Sequence, residues 1–351
     1  STMRTMTEAP DFDGTEEERI NMTDHITMQL QELLGEENVR RQEPMSLHTS
    51  FRVGGPADLF VRTGNLSQLQ AAIHILEENG ISWFILGKGT NLLVGDQGYR
   101  GCVITMNGLA ERPVTDTAEE AASGGAESGD DTAPEDFCRI LVEGNVITAG
   151  AGASLAKTAQ LARANGLSGL EFAAGIPGSV GGGLVMNAGA YDGSMDLVVE
   201  EAKLLMPDGK VMTVPKKDLR LGYRRSVLKE IPAAALQVKF VLQSGDPDEI
   251  LAKMQDFAER RRSKQPLEYP SAGSTFKRPE GMFAGKLIMD AGLAGFSIGG
   301  AQVSEKHCGF VINRDHATAR DVRAVIAAVQ QKVWETAGVR LEEEVIYLGD
   351  F

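Results

Sequence analysis

The longest uncharged run of the chain, Phe172 to Tyr191, holds six glycines and Pro177. About 20 residues without a charge could cross a bilayer. Glycine and proline are the poorest helix formers, so this run makes a poor spanning helix. Glycine also surrenders more conformational entropy on folding than any other residue. A segment this rich in it fits a place where backbone must come close to something. A flat ligand or a phosphate would explain Gly175, Pro177, Gly178, Ser179, Gly181, Gly182, Asn187 and Gly189; tight helix–strand packing is the plainer explanation. The first reading stands slightly ahead.

A second glycine pair, in Leu86-Gly87-Lys88-Gly89-Thr90-Asn91, follows a short apolar strand. Its backbone N–H groups could approach a diphosphate, with the Thr90 hydroxyl and the Asn91 amide as further donors. It is not a dinucleotide fingerprint, which needs a third glycine and a following helix; here Leu92-Leu93-Val94 looks like another strand. No P-loop spacing occurs. Alone, this motif is most simply a β-turn.

Around these segments the periodicity predicts a mixture of helices and strands. Helices are expected at Ile26–Val39, Ser67–Asn79 (capped by Ser67), Ser154–Asn165, Asp246–Arg262 and Thr318–Ala337. In the last of these, Val322, Val325, Ile326, Val329 and Val333 fall on one face and Gly338 ends the helix. Strands are expected at Asp58–Arg62, Trp83–Leu86, Val103–Thr105, Arg139–Val142, Asn145–Thr148, Ala202–Met206, Leu236–Leu242, Gly309–Ile312 and Val345–Leu348. The order lacks a strict βαβ rhythm, so the fold class is α+β. A length of 351 residues allows two or three domains.

Charge narrows the functional classes. The net charge is −14, which disfavours general binding to nucleic acid or to anionic membranes. It is unevenly spread: residues 1–24 carry −5 and residues 114–137 carry −8, leaving −1 for the remainder. Both segments are poor in large apolar residues and are expected to lack order, the first as an N-terminal extension and the second as an acidic flexible insert. No basic stretch followed by an apolar one opens the chain, so a secretory signal is not expected. Three dispersed cysteines exclude a disulfide framework and a cysteine zinc site, and a reducing cytoplasm is the default. The five histidines lack metal-ligand spacing, so no metal is expected. His307 beside Cys308 fits a packed or surface pair. No G-x-S-x-G elbow appears.

Four further strings carry chemistry. Tyr223-Arg224-Arg225 offers a positive fork for a carboxylate or enolate, although a solvated turn is the commoner outcome. The cluster Arg261-Arg262-Ser263-Lys264 could hold an anion or merely complement a helix dipole. Ser271 to Lys277 is a second small-residue stretch, and Glu342-Glu343-Glu344 is most simply a solvated face.

Taken in order along the chain, these strings resemble the UDP-N-acetylenolpyruvoylglucosamine reductase family, the flavoenzymes of bacterial cell-wall precursor synthesis. The resemblance runs from about Met45 to the C-terminus. It rests on Thr49-Ser-Phe-Arg-Val-Gly-Gly-Pro-Ala57, Gly87–Asn91, Gly169-Leu-Glu171, Gly175–Tyr191, Gly222-Tyr-Arg224, Ala272-Gly-Ser274-Thr-Phe-Lys277 and Leu341-Glu-Glu-Glu344-Val345. The short interval from Arg224 to Lys264 is similar to the subclass without an extra substrate-capping loop.

The resemblance implies a two-lobed FAD-binding fold of the vanillyl-alcohol-oxidase (PCMH) type plus a smaller α+β substrate-binding domain. The lobes would be 25–109 and 110–245, and the substrate domain 246–351. It implies non-covalent FAD, NADPH as co-substrate and a nucleotide-sugar substrate, with no obligate protein partner. Arg224, Ser274 and Glu344 match the family's catalytic positions. Thr49 and the residues of both glycine segments would hold the cofactor, and Tyr223, Lys264 and Arg278 the substrate. Arg278 stands where the family usually has Asn. The first 44 residues and the acidic insert lie outside the family pattern. Two other readings remain: an FAD oxidase using O₂, disfavoured because no His or Cys is placed for covalent flavin attachment, and a binding protein without chemistry.

Overall fold

A computed structural model of the chain describes residues 16–108 and 136–351. Most of the acidic insert therefore lies outside the described residues.

The first layer is a four-stranded sheet in the order Val39–Pro44, Pro56–Arg62, Tyr99–Thr105 and Trp83–Leu86. The outer pair at one edge is antiparallel and the others run parallel. A parallel strand needs a crossover, which the helix Leu66–Glu78 supplies between Arg62 and Trp83. Asn65 caps this helix by accepting from the Gln68 N–H at 3.0 Å, in place of the expected Ser67. The preceding helix spans Glu16–Leu34, so it begins inside the stretch expected to lack order and stops short of Val39. Gly35, with φ 89°, turns the chain there, and Val39 opens a strand instead.

The second layer is an antiparallel sheet of five strands, Val211–Pro215, Val199–Leu205, Ala234–Val241, Val146–Gly150 and Ile140–Glu143. One apolar core runs beneath both sheets. Phe137 belongs to that core and is fully buried, although it was expected to end the flexible insert. A Cβ on Gly150 or Gly152 would collide with its carbonyl oxygen or with the Met106 carbonyl behind it. Phe137 thus pins the chain as it leaves the insert.

The third part has its own core. The helix Ala319–Ala337 covers a small sheet of Ser297–Ile298, Ala301–Val303 and Val311–Asn313. The predicted stripe Val322, Val325, Ile326, Val329 and Val333 is buried. Thr318 and Asp321 form a reciprocal capping box at its start, and Gly338 turns the chain at φ 66°.

This third part is joined firmly to the first. The last strand, Ile346–Leu348, pairs in parallel with Leu92–Val94, directly after the Gly87–Asn91 loop. Asp96 accepts from the N–H groups of Ala319 and Arg320 at 2.7 and 2.9 Å, holding the start of the long helix. Ser50 donates its hydroxyl to the Ser271 carbonyl at 2.6 Å, and the Asn313 amide donates to the Phe51 carbonyl at 3.1 Å. No helix among the described residues is long and apolar enough to cross a membrane.

Candidate active site

The two glycine segments face each other across a groove of about 660 Å³. Its walls include Gly87, Lys88, Gly89, Thr90 and Asn91 on one side and Pro177, Gly178, Ser179, Gly182 and Gly189 on the other. The Phe172–Tyr191 run, read as a poor spanning helix, contains a short helix, Val180–Met186. Packing explains how so many glycines fit a helix. A Cβ on Gly181 would stand 2.8 Å from that of Ala151, and one on Gly183 2.7 Å from Leu155. Gly182 points the other way and is exposed to the groove. Packing thus accounts for Gly181 and Gly183, while Gly182 leaves bare backbone on the groove wall.

Ser179 organises the meeting point. Its Oγ accepts from the Gly182 N–H at 3.2 Å, and a Cβ on Gly87 would stand 2.7 Å from the same oxygen. On the opposite wall, Gly89 has φ 60°, and a Cβ there would lie 2.0 Å from the His48 carbonyl oxygen. That close approach seats the loop on the His48–Thr49 backbone, where the Ser50 N–H donates to the Gly89 carbonyl at 3.0 Å. Among the described residues no protein acceptor takes the N–H of Lys88, Gly89 or Thr90, which leaves donors along the groove. A groove of this size, with amide donors and bare glycine surfaces, fits a flavin nucleotide. Among the described residues no His or Cys lines it.

A second cavity, of about 450 Å³, opens beside the groove. Arg224, Ser274 and Glu344 line both. Three separate stretches bring them together. Arg224 sits in a tight turn closed by mutual backbone hydrogen bonds between Gly222 and Arg225, at 3.0 and 3.1 Å. Its φ of 53° is left-handed, which costs a non-glycine residue about 1–2 kcal/mol. Asn187 holds that turn from the glycine-rich side, donating to the Gly222 carbonyl at 3.0 Å. Ser274 lies on a segment whose next residue, Thr275, accepts from the Glu344 N–H at 2.9 Å. Glu344 leads into the last strand, and its own carbonyl accepts from the Asn91 side chain at 2.9 Å.

The Arg224 Nε donates to Glu344 Oε1 at 2.5 Å. Glu344 Oε2 is buried and has no hydrogen-bond partner among the described residues. Burial pushes the Glu344 carboxyl above its ordinary value of 4.5, outweighing the opposing pull of Arg224, Lys229 and Lys277. A half-paired carboxyl, with one oxygen still open, is a group prepared to accept or share a hydrogen bond.

Tyr223 and Arg278 line the second cavity, and the Arg278 N–H donates to the Tyr223 hydroxyl at 3.1 Å. The Arg278 guanidinium lies over the Phe283 ring, 4.1 Å from its centroid. Other expected residues lie outside both cavity walls. Thr49 is buried behind the loop, donating to the Val53 carbonyl at 2.9 Å. Gly175 sits beside the Arg261 side chain, Gly181 and Asn187 are buried, and Lys264 is exposed at a helix end. The charge of Lys264 is nevertheless felt at His307.

His307 and Cys308, read from sequence as a packed or surface pair, line the second cavity. His307 Nδ1 accepts from the Gly309 N–H at 3.1 Å, so the neutral ring carries its proton on Nε2. Arg261 lines the larger groove. No local spacing signals either placement, because both depend on how distant segments pack.

Known proteins with the same features agree on what this arrangement is. Residues 265–348 match the model for the C-terminal domain of UDP-N-acetylenolpyruvoylglucosamine reductase, and residues 135–215 match an FAD-binding domain. A curated UDP-N-acetylenolpyruvoylglucosamine reductase from Agathobacter rectalis is 47% identical over 93% of this chain and 98% of its own. One from Clostridium botulinum is 45% identical over 94% and 99%. The crystal structure of the reductase from Thermus caldophilus superposes with a TM-score of 0.68 at 30% identity, covering 88% of this chain and 99% of that one.

Fold and site thus define an FAD-dependent oxidoreductase, whose first two layers are sheets over one core and which carries a smaller α+β part beside them. The chain belongs to the UDP-N-acetylenolpyruvoylglucosamine reductase family.

Proposed function

We propose that the chain reduces the enolpyruvyl group of UDP-N-acetylglucosamine enolpyruvate to give UDP-N-acetylmuramate, with NADPH as reductant, in peptidoglycan precursor synthesis. The observation that carries this reading is that Arg224, Ser274 and Glu344 belong to both cavities at once. Such a wall is where a hydride donor on one side and an unsaturated substrate on the other would meet. In this reading 25–109 and 110–245 are the FAD-binding lobes and 246–351 the substrate-binding domain.

FAD would be held by the Gly87–Asn91 loop and the facing Gly178–Gly182 segment, and there it would supply the hydride for C3 of the enolpyruvyl group, with NADPH as the source. Negative charge then builds at C2 and spreads into the substrate carboxylate. Arg224 meets it: its Nε is committed to Glu344, while its two terminal nitrogens make no ion pair among the described residues. A cation fixed there stabilises the charged transition state more than the ground state. Glu344 holds Arg224 in place through Oε1, and its buried Oε2 keeps an unused capacity to accept a hydrogen bond. Ser274 gives its hydroxyl proton to C2. A serine is a weak acid, but the carbanion is a strong base, and a neutral donor adds no charge to the pocket. Tyr223 and Arg278, on the wall of the second cavity, would receive the anionic nucleotide portion, while Lys264, outside both walls, would act on it only through its charge. Since a nucleotide sugar is made inside the cell, the cytoplasm is the proposed location.

The test is NADPH oxidation by the purified, flavin-containing protein with and without the enolpyruvyl nucleotide sugar. Oxidation that depends on the sugar is expected. A colourless protein that refuses added FAD, or oxidation indifferent to the sugar, would overturn the reading.

A further inference from the structure

Arg224 is held in a left-handed turn, and a turn of that kind persists only when its surroundings hold it. Its carbonyl oxygen accepts from the Lys229 ammonium at 3.3 Å. Lys229 closes a short 3-10 turn, Val227–Lys229, that follows the Arg224 turn directly. Ser226, at the start of that turn, donates its hydroxyl to the Val185 carbonyl at 2.7 Å and is fully buried. The backbone from Arg224 to Lys229 is therefore tied to the glycine-rich helix below and folded back on itself above.

Lys229 also stands among the charged groups that surround Glu344. It feels Lys277, Glu344 and Glu342, while Glu344 feels Arg224, Lys229 and Lys277. The Lys277 ammonium is paired with Glu342. Glu344 therefore draws on two other cations besides Lys277: Arg224, through a direct bond, and Lys229, through space. When the Arg224 fork turns to a substrate carboxylate, its hold on Glu344 is shared, and Lys229 remains.

We infer that Lys229 is a positioning residue for the reduction, fixing the Arg224 turn through its carbonyl and supplying the second positive charge that balances Glu344. This rests on the reaction assigned above. A charge-assisted hydrogen bond to a strained carbonyl keeps the guanidinium in its place. The same ammonium favours the ionised form of Glu344 against the burial that opposes it.

The experiment compares wild type with Lys229→Met, Lys229→Gln and Lys229→Arg by stopped flow, following flavin reduction by NADPH and flavin reoxidation by the enolpyruvyl nucleotide sugar across pH. Lys229→Met is expected to slow reoxidation about tenfold, the loss of one charge-assisted hydrogen bond, and leave flavin reduction unchanged. Its reoxidation pH profile is expected to move upward, because Glu344 loses a neighbouring positive charge. Lys229→Arg should restore both the rate and the profile. Lys229→Gln, which keeps a donor without the charge, should recover part of the rate while its profile stays shifted; it carries the test if Lys229→Met does not fold. Equal losses in both half-reactions with an unmoved profile would overturn the proposal and make Lys229 merely structural. If wild-type reduced flavin is not reoxidised by the sugar at all, the assigned reaction fails instead, before any variant is considered.

Discussion

Ser274 and Glu344 lie on neighbouring backbone segments yet meet different surroundings. Ser274 is open to the cavities, whereas Glu344 is mostly buried with one oxygen unsatisfied. The two differ accordingly in what a substitution should do. Ser274→Ala is expected to leave flavin reduction by NADPH intact and to slow reoxidation by the sugar about 10²–10⁴-fold, the range for losing a general acid. Stopped-flow traces of the two half-reactions separate these effects, and equal damage to both would make the serine structural.

Glu344 and Glu171 should affect stability in opposite directions. Burial raises Glu344, so its stabilising contribution is full below its unfolded pKa and is lost as pH rises through the folded value. Glu171 is also pushed up by burial. Hydrogen bonds from the Ser168 hydroxyl and the Gly169 N–H outweigh that and hold it below 4.5. Its contribution is full above the unfolded pKa and is lost as pH falls. In urea unfolding across the acid range, Glu344→Gln should gain on wild type as pH rises, and Glu171→Gln should fall behind.

At the scale of elements, legibility followed how local each signal was. The helix Ala319–Ala337 was readable because its apolar stripe and terminal glycine lie within its own sequence. The Val180–Met186 helix was not, since three glycines argue against a helix and only contacts with Ala151, Leu155 and Met195 reveal why they are tolerated. Phe137 was hidden for a similar reason: its acidic neighbours masked one apolar anchor. The residues of the site were named from a family pattern, but their meeting on one wall was not visible. It depends on a turn, a loop and a terminal strand from separate regions of the chain. Gly89 offers a direct test of an element. Gly89→Ala places a Cβ against the His48 carbonyl at a left-handed φ, so the loop must shift. Purified Gly89→Ala is expected to lose most of its bound flavin, read from visible absorbance, while keeping wild-type far-ultraviolet circular dichroism.

At the scale of the molecule, the net charge of −14 describes the active body poorly. Most of it lies in residues 1–24 and 114–137, while the two cavities are lined by Arg224, Arg278, Lys286, Lys306 and Arg261. An anionic nucleotide sugar therefore meets a locally positive surface on an acidic protein. The molecule is also unified by its end. Ile346–Leu348 completes the strand pair that carries the Gly87–Asn91 loop, and Glu344 is anchored to Asn91. Removing residues 345–351 should leave Leu92–Val94 with an unpaired edge and yield protein that no longer retains FAD on gel filtration. Retention of the full flavin content would show that the loop holds its shape unaided.

That pairing also sets a schedule. Asn91 and Glu344 are 253 positions apart, so the contact is among the most distant in the sequence. During synthesis the loop emerges long before the strand that supports it. Contacts of such high order pay their loop-closure entropy late and slow the final folding step. Until that strand has formed, the loop lacks this support, so cofactor capture is expected to follow the pairing rather than precede it.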